Sequence, residues 1–276
     1  MIDEAQGRID YAECGSGPAV VLLPGSCGTG AAWRPVIAAL GNQFRSVTTS
    51  LLGYGGTSER RIAGDPSISS NAEAMESVVR KAGGRVHLVG HSFGGLVALA
   101  IVLRNRVSLA SLVIIEAPAV DLLRERKQHR HYRTFRRMTD AYFADLAAGN
   151  VEAIAAMIDF YGGAGTFASW PPRSRAYAVE TTPVNILDWA DAYGFPLSAA
   201  LLGTLAIPLL IVRGGASPEA VQRANALLCE FSSNATLATI DGAAHFAITT
   251  HAGEIAHRIA AHIHRADADL KSPVSS

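Results

Sequence analysis

A serine between two glycines is the feature of this sequence that most directly suggests chemistry. The stretch LVGHSFGGLVAL places Ser92 two residues after Gly90 and two residues before Gly94. In a tight strand-to-helix turn this spacing exposes the serine hydroxyl, because glycines let the neighbouring backbones approach closely. The amide groups that open the following helix also favour developing negative charge. The pattern therefore predicts that Ser92 is a nucleophile.

The residues around Ser92 fit such a turn, and the rest of the chain repeats the same alternation. Short apolar or β-branched runs predict strands at Ala19–Leu23, Ser46–Ser50, Val86–Val89, Leu112–Ile115, Leu209–Val212 and Thr236–Ile240. Helical patterns lie between or after them, at Ala31–Leu40, Asn71–Lys81, Phe93 to about Leu103, Pro218–Phe231 and Ala252–Ile263. Strands that alternate with helices indicate a parallel sheet with both faces covered.

The alternation stops after Pro118 and returns at Leu209. The residues between them read as helices and loops, and they hold most of the aromatic side chains. We therefore expect a helical insertion over the carboxyl ends of the strands, where open α/β sheets place their ligands. Some of its aromatic rings would form a small core, and others would line an apolar pocket above Ser92.

Composition and charge exclude several classes of protein. Hydrophobic residues make up 49% of the 276 residues and charged residues 17%, which is enough to bury a large core. The formal net charge of +0 offers no basic field for nucleic acid or an anionic membrane, and the apolar runs are too short to span a bilayer. Three widely spaced cysteines read as free thiols, so we expect a cytoplasmic protein without a metal site.

Four segments, in this order, resemble the α/β-hydrolase superfamily. VVLLPGSCGTGAAW resembles the oxyanion loop, LLGYGGTS the loop after the fourth strand, GHSFGG the nucleophile elbow and GAAHFAITTHAGEIA the loop of the catalytic histidine. The resemblance implies an α/β-hydrolase fold with a mostly parallel sheet of about eight strands, flanked by helices. It also implies a helical cap inserted after the sixth strand. We expect a core domain of residues 1–120 and 204–276 and a cap domain of residues 121–203.

The resemblance also implies roles for individual residues. Ser92 is the nucleophile, and His245 is the general base because it lies in the small loop after the last predicted strand. The backbone N–H groups of Ser26 and Phe93 form the oxyanion hole. The sequence reads PGS where the family usually has His-Gly-x, a change that removes no backbone donor at Ser26. No metal or organic cofactor is implied.

The acid of the triad is missing from its usual place, the loop after the seventh strand, where Ser217 stands. Glu116 directly follows the predicted strand Leu112–Ile115, which should neighbour the strand that carries Ser92. Some haloalkane dehalogenases of this superfamily place their acid there, and an unpaired carboxylate in an apolar run would be costly. We predict Glu116 as the acid. The alternatives are a dyad without an acid or one of four other carboxylates: Glu219, Asp241, Asp188 and Asp191.

The sequence thus predicts a carboxylic-ester hydrolase that acts on a small-molecule ester through an acyl-enzyme. A lactonase, a carbon–carbon-bond hydrolase or a perhydrolase would use the same residues, because fold does not choose among them. Dehalogenases and epoxide hydrolases that resemble this chain use an aspartate nucleophile, so Ser92 argues against both. A ligand-binding protein on a hydrolase scaffold is the alternative outside the enzymes.

Overall fold

A seven-stranded sheet forms the centre of the protein in a computed structural model that describes residues 1–62, 64 and 67–271. The strands of the described residues are β1 (Ile2–Glu4), β2 (Gly7–Ile9), β3 (Ala12–Cys14), β4 (Ala19–Leu23), β5 (Arg45–Thr48), β6 (Val86–His91), β7 (Leu109–Ile115), β8 (Leu209–Gly214) and β9 (Ala235–Ile240). β1 and β2 pair with each other as a separate antiparallel hairpin. The others follow the order β3-β5-β4-β6-β7-β8-β9, in which only the β3–β5 pair is antiparallel.

The predicted mostly parallel sheet is confirmed, with seven strands instead of about eight. The N-terminal strands did not emerge from the sequence because each has three residues, too few to display a period of two. Two of the short N-terminal strands pair only with each other, so the main sheet has one strand fewer at that end.

The helices cover both faces of the sheet. They are α1 (Arg34–Leu40), α2 (Ile68–Ala82), α3 (Phe93–Arg104), α4 (Val120–Glu125), α5 (His129–Ala147), α6 (Ile154–Gly162), α7 (Thr166–Ser169), α8 (Pro172–Glu180), α9 (Thr182–Gly194), α10 (Ala199–Leu202), α11 (Glu219–Phe231), α12 (Ala247–Thr250) and α13 (Ala252–Lys271), with 3₁₀ helices at Gly30–Trp33 and Gly41–Gln43. No helix within the described ranges combines the length and the apolar content needed to cross a membrane.

The buried strand β4 shows how the two layers form. Successive side chains of a strand point to opposite faces, so Val21 and Leu23 join one apolar cluster while Val20 and Leu22 join another. The first cluster includes residues of α2, α3 and α11, and the second includes residues of α1, α12 and α13. Both faces of the sheet are therefore buried, which explains the continuous apolar runs of its strands.

Helices α4 to α10 lie between β7 and β8, as the break in the sequence pattern predicted. Aromatic side chains hold this insertion together: the rings of Phe135 and Trp189 have centroids 6.3 Å apart, and the Tyr142 hydroxyl donates to Asn185 Oδ1 at 3.1 Å. These rings are buried in the same apolar cluster as Val21 and Leu23 of β4, so they extend the core of the sheet and do not form the separate small core that the sequence predicted.

Several predicted boundaries move by a few residues, and two of these shifts have a clear local reason. The helix predicted at Asn71–Lys81 is α2, which begins earlier because the Ser67 hydroxyl accepts a hydrogen bond from the N–H of Ser69 at 3.3 Å. The strand predicted at Ser46–Ser50 is β5, which ends at Thr48 where pairing with β4 stops. Neither change moves an element relative to the carboxyl edge of the sheet.

Candidate active site

Ser92 lies in the turn between β6 and α3 in a backbone conformation that side chains rarely adopt. Its φ of 53° and ψ of −126° suit glycine, so the turn is strained at this residue. Two hydrogen bonds of 2.8 Å hold it: the Ser92 N–H donates to Ile115 O, and the Gly95 N–H donates to Ser92 O. A Cβ atom on Gly90 would lie 2.3 Å from the carbonyl oxygen of Gly94, which explains why the turn needs glycine there.

His245 follows β9 and faces the serine. Its Nε2 atom lies 2.9 Å from Ser92 Oγ, and its backbone N–H donates to the carbonyl oxygen of Tyr161 at 3.4 Å. The Tyr161 ring packs on the imidazole with a centroid distance of 4.1 Å. The histidine is buried, so its ring is fixed by both the sheet edge and the insertion.

His91, the residue before Ser92, contacts the backbone of His245. Its Nε2 atom lies 2.9 Å from the carbonyl oxygen of His245 and acts as the donor there, since a carbonyl only accepts. Burial, followed by the neighbouring His245, lowers the pKa of His91 to about 3. His91 is therefore neutral near pH 7 and holds the backbone of the histidine loop.

Glu116 directly follows β7 and is fully buried. Its Oε2 atom lies 3.2 Å from His245 Nδ1 and accepts a hydrogen bond from the Ser217 hydroxyl at 2.8 Å, while Oε1 accepts from the Gly214 N–H at 2.6 Å. An ionised carboxylate only accepts hydrogen bonds, so the network assigns a proton to His245 Nδ1 and leaves the Nε2 lone pair facing Ser92. The buried carboxylate is thus satisfied by three donors.

The structure brings Glu116 to His245 and leaves the other proposed acids elsewhere. Glu219 exposes 70% of its side chain and pairs with Arg130 at 2.8 Å, and Asp241 is exposed. Sequence reasoning identified Ser217 only as a gap in the family pattern. Its hydroxyl is in fact a hydrogen-bond donor to Glu116, which a single sequence shows no sign of.

The loop after β4 passes beside Ser92. A Cβ atom on Gly25 would lie 2.9 Å from Ser92 Cβ, so only glycine fits where this backbone meets the serine. Ser26 comes next, and Phe93 is the first residue of α3, where a backbone N–H has no partner inside the helix. The two residues predicted to form the oxyanion hole therefore flank Ser92, and their role stays a prediction.

A buried polar cluster lies on the insertion side of this loop, and sequence reasoning missed it as a unit. Asp188 of α9 accepts hydrogen bonds from Ser26 Oγ at 2.5 Å, Tyr54 OH at 2.6 Å and Arg61 Nη1 at 2.7 Å. Burial raises the pKa of Asp188 to about 6, although Arg61 acts to lower it. Asp191 also pairs with Arg61, at 3.2 Å. Tyr54 lies in LLGYGGTS and Arg61 three residues after it, but no spacing rule links them to a helix more than a hundred residues away.

The arrangement supports proton transfer from Ser92 to His245, with Glu116 behind the imidazole. That order of hydroxyl, imidazole and carboxylate suits nucleophilic acyl transfer. Among the described residues, no group of three His, Cys, Asp or Glu side chains is arranged to hold a metal ion. Cavities of about 440 Å³ beside Arg60 and about 290 Å³ beside Phe195 lie outside this arrangement.

The model of a family described as "Alpha/beta hydrolase family" matches residues 20–258. A protein of Agrobacterium fabrum named "Putative carbamate hydrolase RutD" is 34% identical over 115 residues, 41% of this chain and 42% of that protein. The soluble epoxide hydrolase of Corynebacterium sp. (strain C12) is 33% identical over 109 residues, 40% of this chain and 38% of that protein. The chain thus matches about two fifths of the length of these relatives.

Solved structures agree in fold over nearly the whole chain. A thermophilic esterase from Thermogutta terrifontis superimposes with a TM-score of 0.68 at 20% identity, covering 94% of this chain and 93% of the esterase. A likeness at that identity is evidence for a shared fold, whereas activity must be argued from the site.

Proposed function

Because this chain belongs to the alpha/beta hydrolase family, we propose that it is a serine hydrolase that cleaves a small-molecule carboxylic ester through an acyl-enzyme on Ser92. One observation carries the proposal: Ser92 Oγ lies 2.9 Å from His245 Nε2, and Glu116 lies 3.2 Å from the other nitrogen of the same ring. Nucleophile, base and acid are thus within hydrogen-bond reach before any substrate arrives.

The first half of the reaction forms the acyl-enzyme. Ser92 Oγ attacks the ester carbonyl carbon while His245 Nε2 takes the hydroxyl proton. Glu116 stabilises the resulting imidazolium through Nδ1–H, and the N–H groups of Ser26 and Phe93 donate to the oxyanion. When the tetrahedral intermediate collapses, the imidazolium gives its proton to the departing alkoxide, and the alcohol leaves.

The second half repeats these steps with water. His245 removes a proton from a water molecule, which attacks the acyl carbon and forms a second tetrahedral intermediate. Collapse of that intermediate breaks the bond to Ser92 Oγ, which recovers its proton from His245 as the carboxylic acid departs. Ser26 and Phe93 serve both intermediates, because the oxyanion develops at the same place each time.

Residues 121–203 act as a cap over a core of residues 1–120 and 204–276 in this proposal. The support is the contact of Tyr161 with His245, because a residue of the insertion packs directly on the base. The substrate must therefore reach Ser92 between the insertion and the sheet edge.

The serine argues against the aspartate-based chemistries. The relative from Corynebacterium is an epoxide hydrolase, a class whose members resembling this chain attack with aspartate, whereas residue 92 is serine. A hydroxyl nucleophile forms an acyl ester with a carboxylic ester substrate, which water then opens at the acyl carbon.

Replacement of the nucleophile tests the proposal. We expect Ser92→Ala to abolish turnover of p-nitrophenyl acetate, and a fluorophosphonate probe to label wild-type Ser92 but not the variant. Ser111→Ala is a matched control, since Ser111 also contacts a histidine, His87 Nδ1 at 2.9 Å, but is fully buried in β7. Retained turnover in Ser92→Ala, or an unlabelled wild type, would refute the mechanism.

A carbamate is the second candidate substrate, suggested by the 34% identity over 115 residues to the protein of Agrobacterium fabrum named "Putative carbamate hydrolase RutD". The same serine attack would form a carbamoyl-enzyme, which water would release. Parallel assays of p-nitrophenyl acetate and p-nitrophenyl carbamate separate the two candidates, because both release the same chromophore. A higher kcat/KM for the carbamate would replace the ester as the preferred class.

A further inference from the structure

The loop that carries Ser26 has no regular secondary structure to hold it at the distance an oxyanion requires. It leaves β4, touches Ser92 at Gly25 and turns back through a hydrogen bond of 3.2 Å from the Gly28 N–H to Gly25 O. Within that turn Cys27 has a φ of 57°, a left-handed conformation that costs energy in a residue with a side chain. A strained loop of this kind keeps its shape only when neighbouring groups hold it.

The Ser26 hydroxyl ties this loop to the insertion through a hydrogen bond. It donates a hydrogen bond of 2.5 Å to Asp188 Oδ2, across 162 residues of sequence. Asp188 is only 2% exposed, and the guanidinium of Arg61 and the hydroxyl of Tyr54 orient its carboxylate. A carboxylate with three donors in a dry site is a rigid acceptor.

We propose that Asp188 is a positioning residue for the oxyanion hole, and that it holds the Ser26 backbone N–H in place through the Ser26 hydroxyl. The inference rests on the proposed function, because it assigns Asp188 to the same acyl transfer. Helix α9 of the insertion, which carries Asp188, would then help to position the oxyanion hole as well as cover the site. Oxyanion donors stabilise the transition state only when they are fixed in advance, so a looser loop lowers kcat.

Asp191 provides a matched control on the same helix. It is also 2% exposed and pairs with the same Arg61 nitrogen, at 3.2 Å. Across the described part of the chain its hydrogen-bond partners do not include Ser26. Asp188→Asn and Asp191→Asn each remove one buried negative charge that pairs with Arg61. Only Asp188→Asn also changes the acceptor of the Ser26 hydroxyl.

The experiment compares Asp188→Asn, Asp191→Asn, Ser26→Ala and the Ser26→Ala/Asp188→Asn double variant with p-nitrophenyl acetate. We expect kcat to fall about 10- to 100-fold in Asp188→Asn and in Ser26→Ala, with KM changed less than about threefold. Asp191→Asn should stay within about twofold of wild-type kcat. The double variant should be no slower than the slower of the two single variants, because both changes disrupt the same hydrogen bond, the one between Ser26 and Asp188.

A second readout separates positioning from general damage. Phenylboronic acid forms a tetrahedral adduct on the serine whose oxygen occupies the oxyanion hole, so its affinity should fall in parallel with kcat in Asp188→Asn and Ser26→Ala. Ser26→Thr, which keeps the hydroxyl, should recover both values. If Asp188→Asn does not fold, the Ser26→Ala and Ser26→Thr pair decides the question.

Provided that the wild type is active, two results would overturn the inference. One is an equal loss of kcat in Asp188→Asn and Asp191→Asn, and the other is a wild-type kcat and boronate affinity in Ser26→Ala. Failure of the proposed function looks different. A wild-type Ser92 that the fluorophosphonate probe does not label would remove both proposals together.

Discussion

The Ser217 hydroxyl donates a hydrogen bond of 2.8 Å to Glu116 Oε2, the same oxygen that faces His245. Ser217 follows β8 and Glu116 follows β7, and the two strands are parallel neighbours in the sheet. The position that usually supplies the family's acid thus supplies a donor to a carboxylate on the adjacent strand.

Removing that donor should weaken both the fold and the reaction. In Ser217→Ala the buried Oε2 atom loses a hydrogen bond, so we expect the free energy of unfolding to fall by about 1–3 kcal/mol. A less firmly held carboxylate should also lower kcat, by about 10-fold. Urea denaturation and ester hydrolysis measure the two effects. Ser217→Thr retains the hydroxyl and serves as the control; wild-type stability and kcat in Ser217→Ala would contradict the assignment.

Glu116→Gln tests the acid itself. The amide has nearly the same shape, but its NH₂ group can donate to His245 Nδ1 and so favour the tautomer with a proton on Nε2, facing Ser92. We expect kcat to fall about 10³- to 10⁴-fold. Glu219→Gln is the matched control, because that side chain is 70% exposed and pairs with Arg130. Loss of activity in Glu219→Gln alone would show that the acid was assigned to the wrong residue.

The sequence predicts most strongly the features that are local or that depend only on the order of the strands. The elbow at Ser92 is five residues long, and its strand and helix adjoin it, so a single stretch contains the whole signal. The nearness of Glu116 to Ser92 results from the pairing of two consecutive parallel strands, β6 and β7. The adjacency of β6 and β7 is therefore within reach of sequence reasoning, and it determines the placement of both residues.

Contacts between distant side chains are beyond that reasoning. The Ser217–Glu116 hydrogen bond joins residues 101 positions apart, and the Ser26–Asp188 bond spans 162. Neither has a period or a spacing motif, because the first depends on the conformations of the loops after β7 and β8, and the second on how the insertion packs on the loop after β4. Arg61 illustrates this: one of its ion-pair partners, Glu59, is two residues away, whereas Asp188 and Asp191 lie on α9, and no local pattern links them to Arg61.

Tyr161 should matter to the reaction through its ring. The ring packs 4.1 Å from the His245 imidazole, so Tyr161→Ala opens a cavity beside the base. We expect the free energy of unfolding to fall by about 3 kcal/mol and kcat to fall by about 10-fold, as measured by denaturation and ester turnover. Tyr161→Phe keeps the ring and should stay near the wild type. A large loss in Tyr161→Phe would instead assign the effect to the hydroxyl.

His262 on α13 should make the protein less stable at acidic pH. Burial lowers its pKa to about 4, below the value of about 6.5 expected in the unfolded chain. The folded protein thus binds fewer protons in this interval, so the contribution of His262 is complete above pH 6.5 and is lost as the pH falls towards 4. Between pH 7 and pH 4.5 the free energy of unfolding should therefore fall by about 1–3 kcal/mol less in His262→Gln than in the wild type. Exposed His257 on the same helix gives the control variant, His257→Gln, whose curve should match the wild type.

Ser92 itself should show a conflict between stability and activity. Its φ of 53° and ψ of −126° lie in a region that costs a residue with a Cβ on the order of 1–3 kcal/mol, whereas glycine enters it freely. Glycine loses roughly 0.5–1 kcal/mol more on folding than alanine through chain entropy, so part of that gain is offset. We therefore expect Ser92→Gly to be more stable than Ser92→Ala by about 1 kcal/mol. Both variants lack the hydroxyl and should be inactive, so thermal denaturation of the pair isolates the backbone. An alanine variant as stable as the glycine variant would mean that the turn is unstrained at this residue.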